Sequence, residues 1–134
     1  MSVAHSPQSK PLILVVDDEP IVLRMATAVL GNAGYEALVA ENGVQGLYLF
    51  EQYADQIVLV LADIIMPELH GPDLANRILG IKPDAKVLLM SGYSNSVIEN
   101  EARKRFPFIR KPFLPQDLVS KIRSMLVQPA ASAG

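Results

Sequence analysis

Along most of the chain, short apolar runs alternate with segments of helical period, an order that predicts a parallel α/β sheet. Leu12 to Val16 is a continuous apolar run rich in β-branched residues, the pattern of a strand covered on both faces. Pro20 suits a first helical turn; Ile21, Met25, Ala28 and Val29 recur at three- and four-residue steps, and Gly34 offers a stop. Glu36 to Ala40 predicts a weaker strand, Asn42-Gly43 a turn, and Val44, Leu47, Tyr48 and Phe50 to Tyr53 a moderately amphipathic helix. Ile57 to Ala62 is the most apolar run and predicts the central strand, ending at Asp63. Beyond a loop with Pro67 and Gly71, the pattern predicts a helix over Pro72 to Leu79 and a strand over Lys86 to Met90. A polar helix over Ser94 to Arg105, a short strand over Phe108 to Arg110 and a helix over Pro115 to Val127 follow, the last with Leu118, Ile122, Met125 and Leu126 on one face. Five strands and five helices in strict alternation predict right-handed crossovers and a doubly wound sheet. Met25, Met90 and Met125 read as core, Met66 and Pro67 as loop-shaping residues.

A length of 134 residues suits one domain, expected over residues 11–127, with residues 1–10 and 128–134 as flexible tails built from Ser, Pro, Gln, Ala and Gly. With 50% hydrophobic and 19% charged residues, the chain should pack a core. Twelve Lys and Arg against fourteen Asp and Glu lack the basic footprint that phosphate-backbone binding needs, so no direct contact with nucleic acid is expected. The absence of cysteine removes disulfides and thiolate chemistry and suits the cytoplasm. No apolar stretch approaches the roughly 20 residues of a membrane span, and the first ten residues are too polar for a signal-peptide core.

In open parallel sheets, ligands bind beyond the carboxyl ends of the strands, so the residues that follow each apolar run carry the chemistry. Those residues are Asp17-Asp18, Asp63, Ser91 and Lys111. Taken alone, Asp17-Asp18 reads equally well as a strand end that caps the next helix. Three carboxylates at one sheet edge repel one another, however, and call for a cation. All-oxygen ligands suit Mg²⁺, which tends to bind one or two carboxylates together with a phosphate. An ammonium and a hydroxyl nearby could then share charge on phosphoryl oxygens. His5 in a tail and His70 in a loop read as neither ligand nor phosphate carrier.

Val15-Val16-Asp17-Asp18-Glu19-Pro20, Asp63-Ile64-Ile65-Met66-Pro67-Glu68-Leu69-His70-Gly71, Met90-Ser91-Gly92-Tyr93 and Arg110-Lys111-Pro112-Phe113 together resemble the receiver domain of two-component response regulators. The likeness runs from about Leu12 to Leu126 and leans toward receivers of hybrid histidine kinases, although the initial Met and short tail suit an independent protein. It implies a flavodoxin-like sheet of order 2-1-3-4-5. It also implies that Asp63 accepts a phosphoryl group from the phosphohistidine of a sensor kinase or phosphotransfer protein. Asp17, Asp18, Asp63 and the backbone carbonyl of Ile65 would hold Mg²⁺, and Lys111 would pair with the phosphoryl group, its bond to Pro112 held cis. Ser91 matches a switch hydroxyl and Phe108 an aromatic switch. Their movement would reshape the surface of the fourth helix, fifth strand and fifth helix for a downstream protein, in a monomer or a weak phosphorylation-dependent dimer.

Phe108 lacks the hydroxyl of a tyrosine at that position. Ile65 and Tyr93 stand where smaller or polar side chains often occur, and their bulk should shield an acyl phosphate from water; Ile65→Asn or Tyr93→Ala should then speed its loss. Two rivals are weaker. A Mg²⁺-dependent phosphohydrolase usually places an acid two residues after its nucleophile, where this chain has Ile65. A flavin-binding electron carrier would place a hydroxyl- and glycine-rich loop after the first strand, where Asp17-Asp18-Glu19-Pro20 would repel phosphate.

Overall fold

A computed structural model describes residues 10–92 and 94–127; the expected tails, Lys10 excepted, and Tyr93 lie outside the described residues. The elements are β1 (Leu12–Val16), α1 (Pro20–Asn32), β2 (Glu36–Ala40), α2 (Gly43–Tyr53), β3 (Ile57–Asp63), α3 (Gly71–Ile81), β4 (Val87–Ser91), α4 (Val97–Arg105), β5 (Phe108–Arg110) and α5 (Pro115–Val127). All strand pairings are parallel, in the order β2-β1-β3-β4-β5. The expected doubly wound, flavodoxin-like sheet is thus the one observed, with β3 at its centre.

Alternate residues of each strand feed two separate cores. Leu14, Val16, Val60 and Leu89 pack with Phe50 of α2 and with Leu74 and Ile78 of α3. Ile13, Val15, Leu61 and Leu88 pack on the other face with Leu23 and Leu30 of α1 and Leu118 and Ile122 of α5. Every residue of β1 and β4 is buried, which explains their unbroken apolar runs, whereas the edge strand β2 is mostly half-buried or exposed. No helix among the described residues is long and apolar enough to cross a membrane.

Several local expectations change. The buried stripe of α1 is Leu23, Ala26 and Leu30, while Ile21 is 72% exposed and Ala28 faces solvent. Apolar residues occur all around this helix, so periodicity supplied the spacing without the phase. Val44 and Tyr48 of α2 are likewise exposed, because the helix packs inward through Gly43, against Leu69 of the loop after β3, and Gly46, against the sheet. A side chain at Gly46 would collide with Val16, so helix and strand meet backbone to side chain there. Helix α3 is longer than expected at both ends, and β4 begins one residue later and includes Ser91. Helix α4 starts at Val97 because Ser96, whose hydroxyl accepts from the Glu99 amide, is its N-cap. Met66 belongs to the core rather than merely shaping a loop, and Met25 is only half-buried.

Candidate phosphoacceptor and metal site

Parallel strands put their carboxyl ends on one edge, and β1, β3, β4 and β5 deliver Asp17, Asp63, Ser91 and Lys111 there. Asp17 follows β1 directly and is fully buried; its Oδ1 accepts from the Glu19 amide at 2.9 Å, which fixes the carboxylate as the chain turns into α1. Asp63 is the last residue of β3. Its register partner on β4 is Met90, whose carbonyl accepts from the Ile64 amide, so the strand is pinned just beyond the carboxylate. The following turn has no slack: a Cβ on Gly71 would collide with the Asp63 carbonyl, and the Gly71 amide donates to Ile64 at 2.8 Å.

Lys111 crosses from the end of β5 to the acidic side. Its amide donates to the Ser91 carbonyl at 2.7 Å, and the Lys111–Pro112 peptide is cis. The ammonium lies 3.2 Å from Asp17 Oδ2, 3.4 Å from Asp63 Oδ2 and 3.3 Å from Glu19 Oε1. Glu19, the last of these partners, was not foreseen as part of the cluster. Asp17, Asp18 and Asp63 each offer a carboxylate oxygen within 4.8 Å of the others.

One ammonium does not balance this many carboxylates. Burial, reinforced by the charge of Asp17, pushes the Asp63 carboxyl up to about 7, although Lys111 opposes the rise. Asp17 is raised as well, again chiefly by burial, against the Glu19 amide and Lys111. Burial alone would lower Lys111, but Asp63 and Asp17 outweigh it and leave the ammonium raised. Three oxygen donors of excess negative charge, with neither imidazole nor thiolate among them, fit a hard cation such as Mg²⁺. A cleft of about 330 Å³ opens beside Asp18, bounded by Pro20, Asn42 and Glu68.

The remaining site residues take no part in these ion pairs. Ile65 is 40% exposed in the loop after β3. Phe108 is half-buried against the α3-side core, with the Arg110 guanidinium 6.0 Å from its ring centre. His70 precedes α3, and its Nδ1 accepts from the Met66 amide at 3.3 Å, a loop contact. Ser91 is fully buried, and its hydroxyl is engaged by Glu99 and Arg103 of α4. Neither of these two residues was singled out from the sequence. Their signal was a helix with too few apolar residues to dock by burial, carrying an acid and a base four residues apart.

The family model for the response regulator receiver domain matches residues 13–123. The response regulator receiver protein CpdR of Brucella abortus is 31% identical over 117 residues, which cover 86% of this chain and 96% of that protein. Sensor kinase CckA of the same organism is also 31% identical, over 85% of this chain but only 12% of the kinase. A receiver domain structure from Clostridium thermocellum superposes with a TM-score of 0.79 at 32% identity, covering 86% of this chain and 93% of that one. With the strand order, the acidic edge and these likenesses in agreement, the chain belongs to the response regulator receiver domain family.

Proposed function

We propose that this domain, extending over residues 11–127, is a signalling switch that stores a phosphoryl group on Asp63. The observation that carries the reading is the Lys111 ammonium held against the Asp17 and Asp63 carboxylates, at 3.2 and 3.4 Å, on an edge where Asp18 adds further negative charge. One Asp63 oxygen attacks the phosphorus of a phosphohistidine on a partner kinase or phosphotransfer protein. The new O–P bond forms as the P–N bond breaks, and the imidazole leaves with the electron pair. Asp17, Asp18 and Asp63, with the backbone carbonyl of Ile65, would hold Mg²⁺. Bound there, the ion supplies positive charge that keeps these carboxylates ionised and offsets charge on the phosphoryl oxygens.

Lys111 exchanges its contact with Asp63 for one with the incoming group, a point charge on a flexible stem that needs only a small movement. Ile65, beside the acceptor and partly exposed, limits the approach of water and prolongs the modified state. Output then passes through the α4, β5 and α5 surface to a downstream protein.

The test is incubation with Mg²⁺ and acetyl phosphate, followed by location of the added mass. The wild-type chain gains one phosphoryl group at Asp63, and Asp63→Asn gains none; equal uptake by Asp63→Asn removes the assigned acceptor. Ile65→Asn shortens the lifetime of the modified protein, and an unchanged lifetime removes the shielding role.

A further inference from the structure

The Ser91 hydroxyl stands at the carboxyl edge of the sheet but is held from the opposite direction. It accepts from Arg103 Nη1 at 2.7 Å, and its one proton is shared between Glu99 Oε1, a charged acceptor, and the Gly92 carbonyl, each at 3.1 Å. Arg103 Nη1 is also 3.0 Å from Glu99 Oε1, and Glu99 Oε2 accepts from the Gly92 amide at 3.3 Å. Glu99, 4% exposed, is one of only two buried residues of α4; the other is Ala102. The helix spends its apolar Val97 on solvent, at 77% exposure. Helix α4 therefore docks on the sheet through a polar cluster centred on Ser91, with a single methyl group beside it.

We propose that Glu99 and Arg103 form a latch, which holds the Ser91 hydroxyl against α4 in the unmodified protein and opens when a phosphoryl group on Asp63 draws that hydroxyl away. The proposal rests on the phosphoacceptor reading and adds what Ser91 must leave and what its departure loosens. Ser91 is one residue beyond the register partner of Asp63 on the adjacent strand, so the latch and a phosphoryl group on Asp63 compete for its hydroxyl. Departure strands no charge. Glu99 keeps Arg103 and the Gly92 amide, while Arg103 keeps Glu99, the Asn100 side chain and the Ser94 carbonyl. The exchange costs hydrogen bonds and not a bare ion, which makes the latch a bias between two states rather than a trap. Because the same bonds dock α4, releasing Ser91 also frees the helix.

Two measurements on the full chain test this: the rate of phosphoryl uptake at Asp63 from acetyl phosphate with Mg²⁺, and amide hydrogen exchange over residues 97–105 before modification. Arg103→Gln should raise both by about fivefold, the worth of one ordinary hydrogen bond. Glu99→Gln should act in the same direction, and circular dichroism confirms that each variant is folded. In a Ser91→Ala background, Arg103→Gln should give no further gain in uptake. A gain of full size in that background, or no change in either measurement for Arg103→Gln, overturns the latch, since a merely structural role for Arg103 would not depend on Ser91. Failure of the wild-type chain to take up phosphate instead overturns the phosphoacceptor reading and the opening step with it. The exchange arm then still decides whether the latch docks α4.

Discussion

Two polar clusters lie a strand apart on this domain, and they solve the problem of buried charge in opposite ways. Around Lys111, one cation faces Asp17, Glu19 and Asp63, with Asp18 close by. Around Ser91, one cation faces one anion, and the hydroxyl between them is bonded on both sides. The first cluster carries excess negative charge and raised carboxyl pKa values; the second is neutral and closed. Excess negative charge held by a rigid fold favours a cation, and only a bound cation would make room there for an anionic group. A balanced cluster stores only a choice between partners. On the reading proposed above, the contrast is that between a reaction centre and a conformational latch, and removing charge from each should expose it.

The largest effect belongs to Lys111. Replacing it with Met leaves buried Asp17 without its cation and should cost about 3 kcal/mol of folding stability near pH 8 in chelator. Arg103→Gln also takes a cation from a buried acid, but it keeps an amide donor at 103 and leaves Glu99 its bonds to Ser91 and Gly92, so it should cost less, about 1 to 2 kcal/mol. Millimolar Mg²⁺ should restore most of the loss in Lys111→Met and none of that in Arg103→Gln, as read by chemical denaturation. Equal rescue of both variants by the ion would erase the distinction between the clusters.

Asp63→Asn tests the acidic cluster from the other side. The Asp63 carboxyl titrates near 7 in the folded chain, against 3.8 as its ordinary value. Below the lower value both states are protonated and the residue imposes no charge penalty. As pH rises from there through 7, the unfolded chain loses the proton first and the fold loses stability relative to it; above 7 the penalty is complete. Asparagine does not titrate. In chelator, Asp63→Asn should therefore match the wild-type chain near pH 4 and exceed it by about 2 kcal/mol near pH 8, after allowance for relaxation around the group. Thermal unfolding across that range reads the widening gap. A constant gap would mean that burial near Asp17 does not strain the carboxylate.

The acidic cluster could be read in the sequence because its geometry follows from topology alone: strand ends converge, and the residues after Val16, Ala62 and Arg110 are fixed once the strands are found. Those strands were legible because their apolar runs are continuous. The latch was not legible, because it depends on how α4 lies against β4, and no periodicity encodes a helix docked by Glu99 and Ala102. The phase of α1 failed for the reverse reason, since Ile21, Val22 and Leu23 are all apolar and only the packed sheet selects among them. Charged pairs at helical spacing on an apolar-poor helix are the signal to weigh next to a strand-end hydroxyl.

The smallest effect concerns backbone rather than charge. Among the described residues, Glu68 alone of the non-glycine residues has positive φ, at 68°, and the Leu69 amide donates to the Pro67 carbonyl at 2.7 Å across it. This is a three-residue turn of the strained hand, on the acidic side of the domain and not on the latch side. Asparagine tolerates that region better than glutamate, so Glu68→Asn should stabilise the fold by about 0.5 kcal/mol. The substitution also removes a charge beside the acidic cluster, and Glu68→Gln serves to separate the two causes, since it discharges the residue without easing its backbone. If strain dominates, asparagine stabilises and glutamine does not, at any ionic strength. Equal gains from both, fading as salt is added, would instead assign the effect to repulsion reaching across the cleft to Asp18, and would widen the charged region of the reaction centre to include this loop.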